Sequence, residues 1–319
     1  MAFSWMKMLS YVMIIMSYMI MLFSESFFLL WFSFELNLLS FMYIMWEGKG
    51  FCSVNSMMKY FIIQSFSSII FLVVLMLSEA TQMLNLMLNI VSIIMMMKIG
   101  LFPFSFWLPD VVEGLSWESM IIFLTGQKII PMYVIMMMDF YYSNIVITMT
   151  MLFGLFMMYN QISLRKFLIY SSLIHSGWLL VAVKMHFMYF MFYLMIYFIM
   201  LLMLVNMENL DSMLQFKYLS QTKISTIFFT FMNLSGLPPF LGFFSKIFIM
   251  VNMNNNNIII IIILIMGSMI SSYIYMNYVM MIFYNKSFYK NYLYNYLYNY
   301  YIIMCMLMML FMIMHIMNM

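Results

Sequence analysis

Gly100-Leu-Phe-Pro-Phe104 and Gly236-Leu-Pro-Pro-Phe240 are one phrase written twice with a single substitution. The sequence holds only ten glycines and five prolines, and three of the prolines stand in these two phrases. Each phrase interrupts a long apolar stretch. Glycine tolerates left-handed backbone, and proline fixes φ and removes a donor, so such a phrase ends or kinks a helix. A lysine accompanies each: Lys98 precedes the first and Lys246 follows the second. The fold is therefore read from two broken apolar helices with a cation beside each break.

Composition says what surrounds them. Hydrophobic residues make up 67% of the 319 positions and charged residues only 7%. A soluble domain is about one quarter charged, so this chain is solvated by lipid, and its repeated apolar runs of about 20 residues fit membrane-spanning helices. The first run, after Lys7, has no small-residue cleavage site and reads as an ordinary span rather than a secretory signal. Two distant cysteines, Cys52 and Cys305, exclude a four-cysteine iron–sulfur or zinc site within the chain. His175, His186 and His315 have no partner at helical spacing for a haem or metal pair. A net charge of +3 in this distribution does not suggest nucleic-acid binding. The 50 methionines and single arginine point to an AT-rich organelle genome.

The apolar windows predict eleven spans, near 8–24, 26–46, 60–78, 83–108, 115–138, 141–159, 167–183, 185–207, 224–250, 257–284 and 299–317, with a Tyr/Asn-rich interfacial loop at 289–300. Linkers are short, so residues 1–319 form a single membrane domain. Nine cations lie on the side of the N-terminus: Lys7, Lys49, Lys59, Arg165, Lys166, Lys217, Lys223, Lys286 and Lys290. Lys184 alone lies on the other. That bias places the N-terminus on the cytoplasm-equivalent side and the C-terminus opposite. The two phrases fall in spans four and nine, five apart. Residues 8–138 and 141–284 then form two five-helix units, and because five is odd they enter the bilayer from opposite faces. Residues 285–319 supply a loop and a final helix. Inverted repeats with helices broken at matching places point to a transport site, although Gly–Pro breaks are also frequent in membrane helices at large.

Charges inside the spans sharpen this reading. Glu35 is central in the second span, Lys128 in the fifth and His175 in the seventh, while Lys98 stands just before the break in the fourth and Lys246 is in the second half of the ninth. A charge at mid-depth costs about 2.5–3.5 kcal/mol. A Glu–Lys pair about 4 Å apart gains up to roughly 4 kcal/mol at an effective dielectric near 20. A motion that joins and separates such a pair therefore loads and discharges the lysine, and the broken helices supply polar backbone that holds water at depth. A plainer reading stands beside each residue: Glu35, Lys98 and Lys128 as structural ion-pair partners, Lys246 as a side chain reaching an interface, His175 as a packed hydrogen-bonder. His186 and His315 read as interfacial, and Asp110, Glu113 and Glu118 as solvated acids.

Several motifs together carry a resemblance. Lys98-Ile-Gly-Leu-Phe-Pro-Phe-Ser-Phe-Trp-Leu-Pro109, Gly126-Gln-Lys128-Ile-Ile-Pro131, Leu164-Arg-Lys-Phe-Leu-Ile-Tyr-Ser-Ser-Leu-Ile-His-Ser-Gly-Trp178 and Leu234-Ser-Gly-Leu-Pro-Pro-Phe-Leu-Gly-Phe-Phe-Ser-Lys246 resemble the antiporter-like membrane subunits of respiratory complex I. Glu35-Leu-Asn-Leu-Leu-Ser40 and the organellar composition narrow this to the short animal form, of insect mitochondrial type. The resemblance covers nearly the whole chain. It implies an all-α polytopic fold of two inverted five-helix bundles with discontinuous helices, in the mitochondrial inner membrane. The N-terminus would face the matrix and the C-terminus the intermembrane space.

The resemblance also implies roles. Glu35 and Lys98 would form a regulating ion pair, Lys128 the central relay, Lys246 the exit-side lysine, and His175 a group on the hydrated axis. Ser105 stands where relatives often carry histidine, so no proton role belongs there. NADH, FMN, iron–sulfur clusters and ubiquinone would be handled by other subunits, with no cofactor bound by this chain. Its partners would be other membrane-arm subunits, accessory subunits and lipids such as cardiolipin. Two rival readings remain: a subunit of a multi-subunit cation/proton antiporter, and a structural link of the membrane arm that pumps nothing.

Overall fold

The computed structural model describes residues 2–46, 51–80, 84–138, 143–204, 221–238, 240–253 and 258–284. Among them the chain is helical with no strand: α1 (Ala2–Leu22), α2 (Phe27–Met45), α3 (Phe51–Ala80), α4 (Leu84–Ile99), α5 (Trp107–Val112), α6 (Trp117–Thr125), a 3₁₀ turn (Gly126–Lys128), α7 (Ile129–Met137), α8 (Ser143–Tyr159), α9 (Leu164–Met185), α10 (Phe187–Leu202), α11 (Gln221–Ser235), α12 (Leu241–Asn252) and α13 (Ile258–Tyr284). Serines start two of these helices, as their short acceptors suit. Ser26 accepts from the Leu29 amide and Ser116 from that of Ser119. Six of the described helical stretches are long and apolar enough to cross a membrane, and five more are shorter apolar helices. The chain is thus a multi-pass membrane protein.

The shorter helices have a local cause. The expected span at 83–108 stops as a helix at Ile99, because Gly100 adopts φ +77°. The expected span at 224–250 divides at Gly236, φ +72°, into α11 and α12. Both values lie in the left-handed region that glycine alone enters without cost. A third interruption falls within the expected span 115–138, where the 3₁₀ turn at 126–128 joins α6 to α7. The expected loop at 289–300 and final span at 299–317 lie outside the described residues.

The chain divides into two compact units, one of residues 1–161 and 165–190, the other of 162–164 and 191–319. In the first, α1 packs on α2, α2 on α3, and α3 on α4 and α5. Phe41, Tyr60, Trp107 and Phe123 form an aromatic cluster with ring centroids 5.2–6.3 Å apart. This cluster seats the N-terminal half of α3 against α2, α5 and α6. Gly154 lets α8 approach α9 closely, since a methyl there would stand 3.1 Å from Ile174 and 3.2 Å from the Tyr170 carbonyl. In the second unit α11 packs on α12 and α13, with Phe231 against Tyr275 and Tyr278.

Candidate functional site

At the first break the amides of Gly100 and Leu101 both donate to the Met96 carbonyl, at 2.9 and 3.0 Å. That pattern closes the helix over its own last turn. It leaves the Lys98 carbonyl without a backbone donor, and Gln64 of α3 supplies one from Nε2 at 2.9 Å. Lys98 is 4% exposed. Its ammonium lies 4.2 Å from the centroid of the Phe34 ring, an arrangement worth about 2 kcal/mol or more when desolvated.

Glu35, the next residue on α2, accepts from Ser68 Oγ at 2.5 Å. Among the described ion pairs, Glu35 and Lys98 do not meet directly. The structure thus brings the expected pair into one neighbourhood on separate tethers.

Lys128 closes the 3₁₀ turn and is 5% exposed. Its ammonium donates to the Ser172 carbonyl of α9 at 3.0 Å. His175 lies one turn further along α9, 2% exposed, between Ser171, Ser172 and Ser176, all buried. Helical side chains lean toward the preceding turn, so Lys128 docks on the turn His175 overhangs. Beside Lys128, Gln127 makes a reciprocal amide pair with Asn37: Asn37 Nδ2 donates to Gln127 Oε1 at 3.0 Å, and Gln127 Nε2 to Asn37 Oδ1 at 3.2 Å. Tyr60 Oη also donates to Gln127 Oε1, at 3.0 Å. Pro131 cannot bond the Gln127 carbonyl four residues back, so the 3₁₀ turn falls where continuous α-helix is hardest to hold.

Lys246 belongs to the second unit. It is 5% exposed, and its ammonium turns back along α12 to donate to the Ser235 carbonyl at 2.9 Å. Ser235 is the last residue of α11, so the lysine caps the break itself. Asn233 Oδ1 accepts from the Leu241 amide at 3.3 Å and starts α12.

Two features escaped the sequence reading. Tyr60, Gln64 and Ser68 are uncharged and do not stand out by cost, yet their four-residue spacing on an apolar helix marks a polar stripe. The acids after the first break are paired as well as solvated. Lys7 bonds Glu118 at 2.8 Å, Lys59 bonds Asp110 at 2.7 Å and Lys166 bonds Glu113 at 2.5 Å. Arg165 adds a bond to the Glu113 carbonyl at 2.8 Å. Four cations that the sequence placed on one side thus gather at one end of the first unit. Ser105 Oγ, at the first break, and Tyr18 Oη, 2.6 Å from where a methyl on Gly126 would sit, are buried hydroxyls without a protein partner.

Known proteins resemble this chain in sequence and in fold. A family profile described as NADH:quinone oxidoreductase/Mrp antiporter, TM, matches residues 24–271. NADH-ubiquinone oxidoreductase chain 2 of Aedes aegypti is 32% identical over 297 residues, covering 87% of this chain and 86% of the relative. The protein of that name from Artemia franciscana is 31% identical, covering 86% and 89%. Among solved structures, a chain of respiratory complex I from Thermus thermophilus superposes with a TM-score of 0.68 at 18% identity, over 80% of this chain and 65% of that one. A chain of the archaeal membrane-bound sulfane sulfur reductase gives 0.77 at 15% identity, over 94% and 71%. A chain of the Mrp complex from Dietzia gives 0.68 at 16%, over 83% and 57%. These structural likenesses speak to the fold, the profile and the sequence relatives to kinship: the chain belongs to the NADH:quinone oxidoreductase/Mrp antiporter transmembrane family, among its NADH-ubiquinone oxidoreductase chain 2 members.

Proposed function

We propose that this chain is a proton-translocating subunit in the membrane arm of an NADH:ubiquinone oxidoreductase of the mitochondrial inner membrane, and that Glu35, Lys98, Lys128, His175 and Lys246 carry the protons. The observation that carries the reading is that each buried lysine stands at a helix interruption, and none pairs with an acid among the described residues. Lys128 and Lys246 are held by backbone carbonyls instead. A carbonyl accepts from a neutral amine as well as from an ammonium. Such a lysine keeps its place whether or not it holds a proton, as a relay must. A fixed carboxylate would hold it in the charged form. The unpartnered hydroxyls of Ser105 and Tyr18 offer anchoring points for water at two of the breaks.

The organisation accords with the same reading. Two inverted five-helix repeats, 8–138 and 141–284, with a closing segment 285–319, are supported by the left-handed glycines at matching places in spans four and nine. The clustering of Lys7, Lys59, Arg165 and Lys166 supports a matrix-facing N-terminus, and eleven crossings would then put the C-terminus in the intermembrane space. Other membrane-arm subunits, accessory subunits and cardiolipin would surround the chain, and NADH, FMN, iron–sulfur clusters and ubiquinone would be used elsewhere in the complex.

The test is Lys128→Met in the assembled complex reconstituted into vesicles. Proton uptake per electron falls if Lys128 relays protons. Wild-type electron transfer with a wild-type proton-to-electron ratio removes Lys128 from the path and favours a structural link. A second reading, a subunit of a multi-subunit cation/proton antiporter, is favoured by the family description and the Mrp likeness. Dissipation of a sodium gradient without an electron source would select it.

A further inference from the structure

Tyr60, Gln64 and Ser68 follow one another at four-residue steps, and so share one face of α3. Their partners come from three elements: Gln127 of the 3₁₀ turn, the Lys98 carbonyl of α4 and the Glu35 carboxylate of α2. The middle contact has no substitute. Met96 already takes both amides that succeed α4, and no backbone amide among the described hydrogen bonds reaches the Lys98 carbonyl. A buried carbonyl needs a donor. Gln64, 8% exposed, is the side chain that brings one.

We propose that Gln64 is a positioning residue for Lys98: its amide holds the open end of α4, and so keeps the lysine over Phe34 and apart from Glu35. Ser68, one turn on, holds Glu35 on the same face. One helix thus carries separate tethers for the acid and for the lysine. The inference rests on the proton-transport reading above. Among the described residues, the charged and titratable groups that this stripe meets or carries are Lys98 from α4, Glu35 from α2 by way of Ser68, and Tyr60 on its own helix. The Lys59–Asp110 pair joins α3 to α5 at their exposed end.

The test compares Gln64→Glu and Gln64→Leu in the assembled complex, reading NADH oxidation and proton uptake over about pH 5–9, a range that covers a carboxyl raised by burial and one held lower by the lysine beside it. Glutamate has the size of glutamine. Protonated, it donates to the Lys98 carbonyl and restores the contact. Ionised, it donates nothing and sets a second carboxylate beside the lysine. Proton uptake per electron in Gln64→Glu should therefore fall as pH rises, its alkaline limb moving down by about one pH unit or more relative to wild type. Gln64→Leu should lower uptake at every pH without moving the limb.

A wild-type pH profile in Gln64→Glu overturns the positioning role, whether or not Gln64→Leu assembles. Lys128→Met, measured alongside, separates the two claims. Wild-type uptake there defeats the transport reading, whereas lost uptake there with a wild-type profile in Gln64→Glu defeats only the role of Gln64.

Discussion

Glycine 236 and lysine 246 are one local device. A methyl built on Gly236 would stand 2.7 Å from Lys246 Nζ and 3.1 Å from its Cδ and Cε, so the lysine occupies the space that a side chain would claim. Gly100 is hemmed in differently, by the branched end of Leu108 at 2.7–2.9 Å. Either substitution costs about 1–2 kcal/mol for left-handed backbone. Beyond that the outcomes should differ. Leu108 is 4% exposed and has little room to move, so Gly100→Ala should register chiefly as a lower melting temperature of the complex. The end of Lys246 is flexible, so Gly236→Ala should displace the ammonium from the Ser235 carbonyl and depress proton uptake by more than its stability loss explains. Thermal unfolding and uptake measured on both variants decide it; equal transport in the two would show that the lysine's seat at the break is immaterial.

At the scale of the element, two expected spans are each two helices and a third ends early at Ile99, and only two of these three breaks were legible in the sequence. Gly–Pro phrases announce themselves. The turn at 126–128 does not, because Gly126 and Pro131 are five residues apart and a proline near a helix start is ordinary. Its consequence is angular. A 3₁₀ turn advances about 120° per residue against about 100° in an α-helix, so three residues rotate α7 relative to α6 by roughly 60°. That rotation helps to aim Lys128 at Ser172. Pro131→Ala restores an amide four residues from the Gln127 carbonyl and lets α-helix run through. The variant should melt no lower than wild type yet pump less, since Lys128 would leave the α9 turn beneath His175. Loss of stability in step with loss of transport would assign Pro131 to packing alone. The partners of the lysines were illegible for a related reason: a carbonyl acceptor carries no residue-type signature, and only packing selects Ser172 or Ser235.

Across the molecule, what the sequence made plain was distribution rather than contact. Positive charge on one side, apolar spans and five costly ionisable groups can be read without coordinates, because each is a statement about solvation. Which helix faces which cannot, and so the pairing of Asp110, Glu113 and Glu118 with cations from α1, α3 and α9 emerged only from the fold. Surface pairs of this kind are worth about 0–1 kcal/mol each, too little to set the topology. The cation bias is the better guide to it, and Cys52 offers a direct probe. Cys52 is exposed and free, and a methyl on Gly114 would come within 2.5 Å of its carbonyl. It therefore lies beside the 113–116 loop, at the end where Lys7, Lys59 and Lys166 find their acids. With Cys305→Ser as background, a membrane-impermeant maleimide should modify Cys52 in inverted inner-membrane vesicles and spare it in right-side-out mitoplasts. Modification from the mitoplast face alone would reverse the orientation, put the N-terminus in the intermembrane space, and leave the gathered cations in need of another cause.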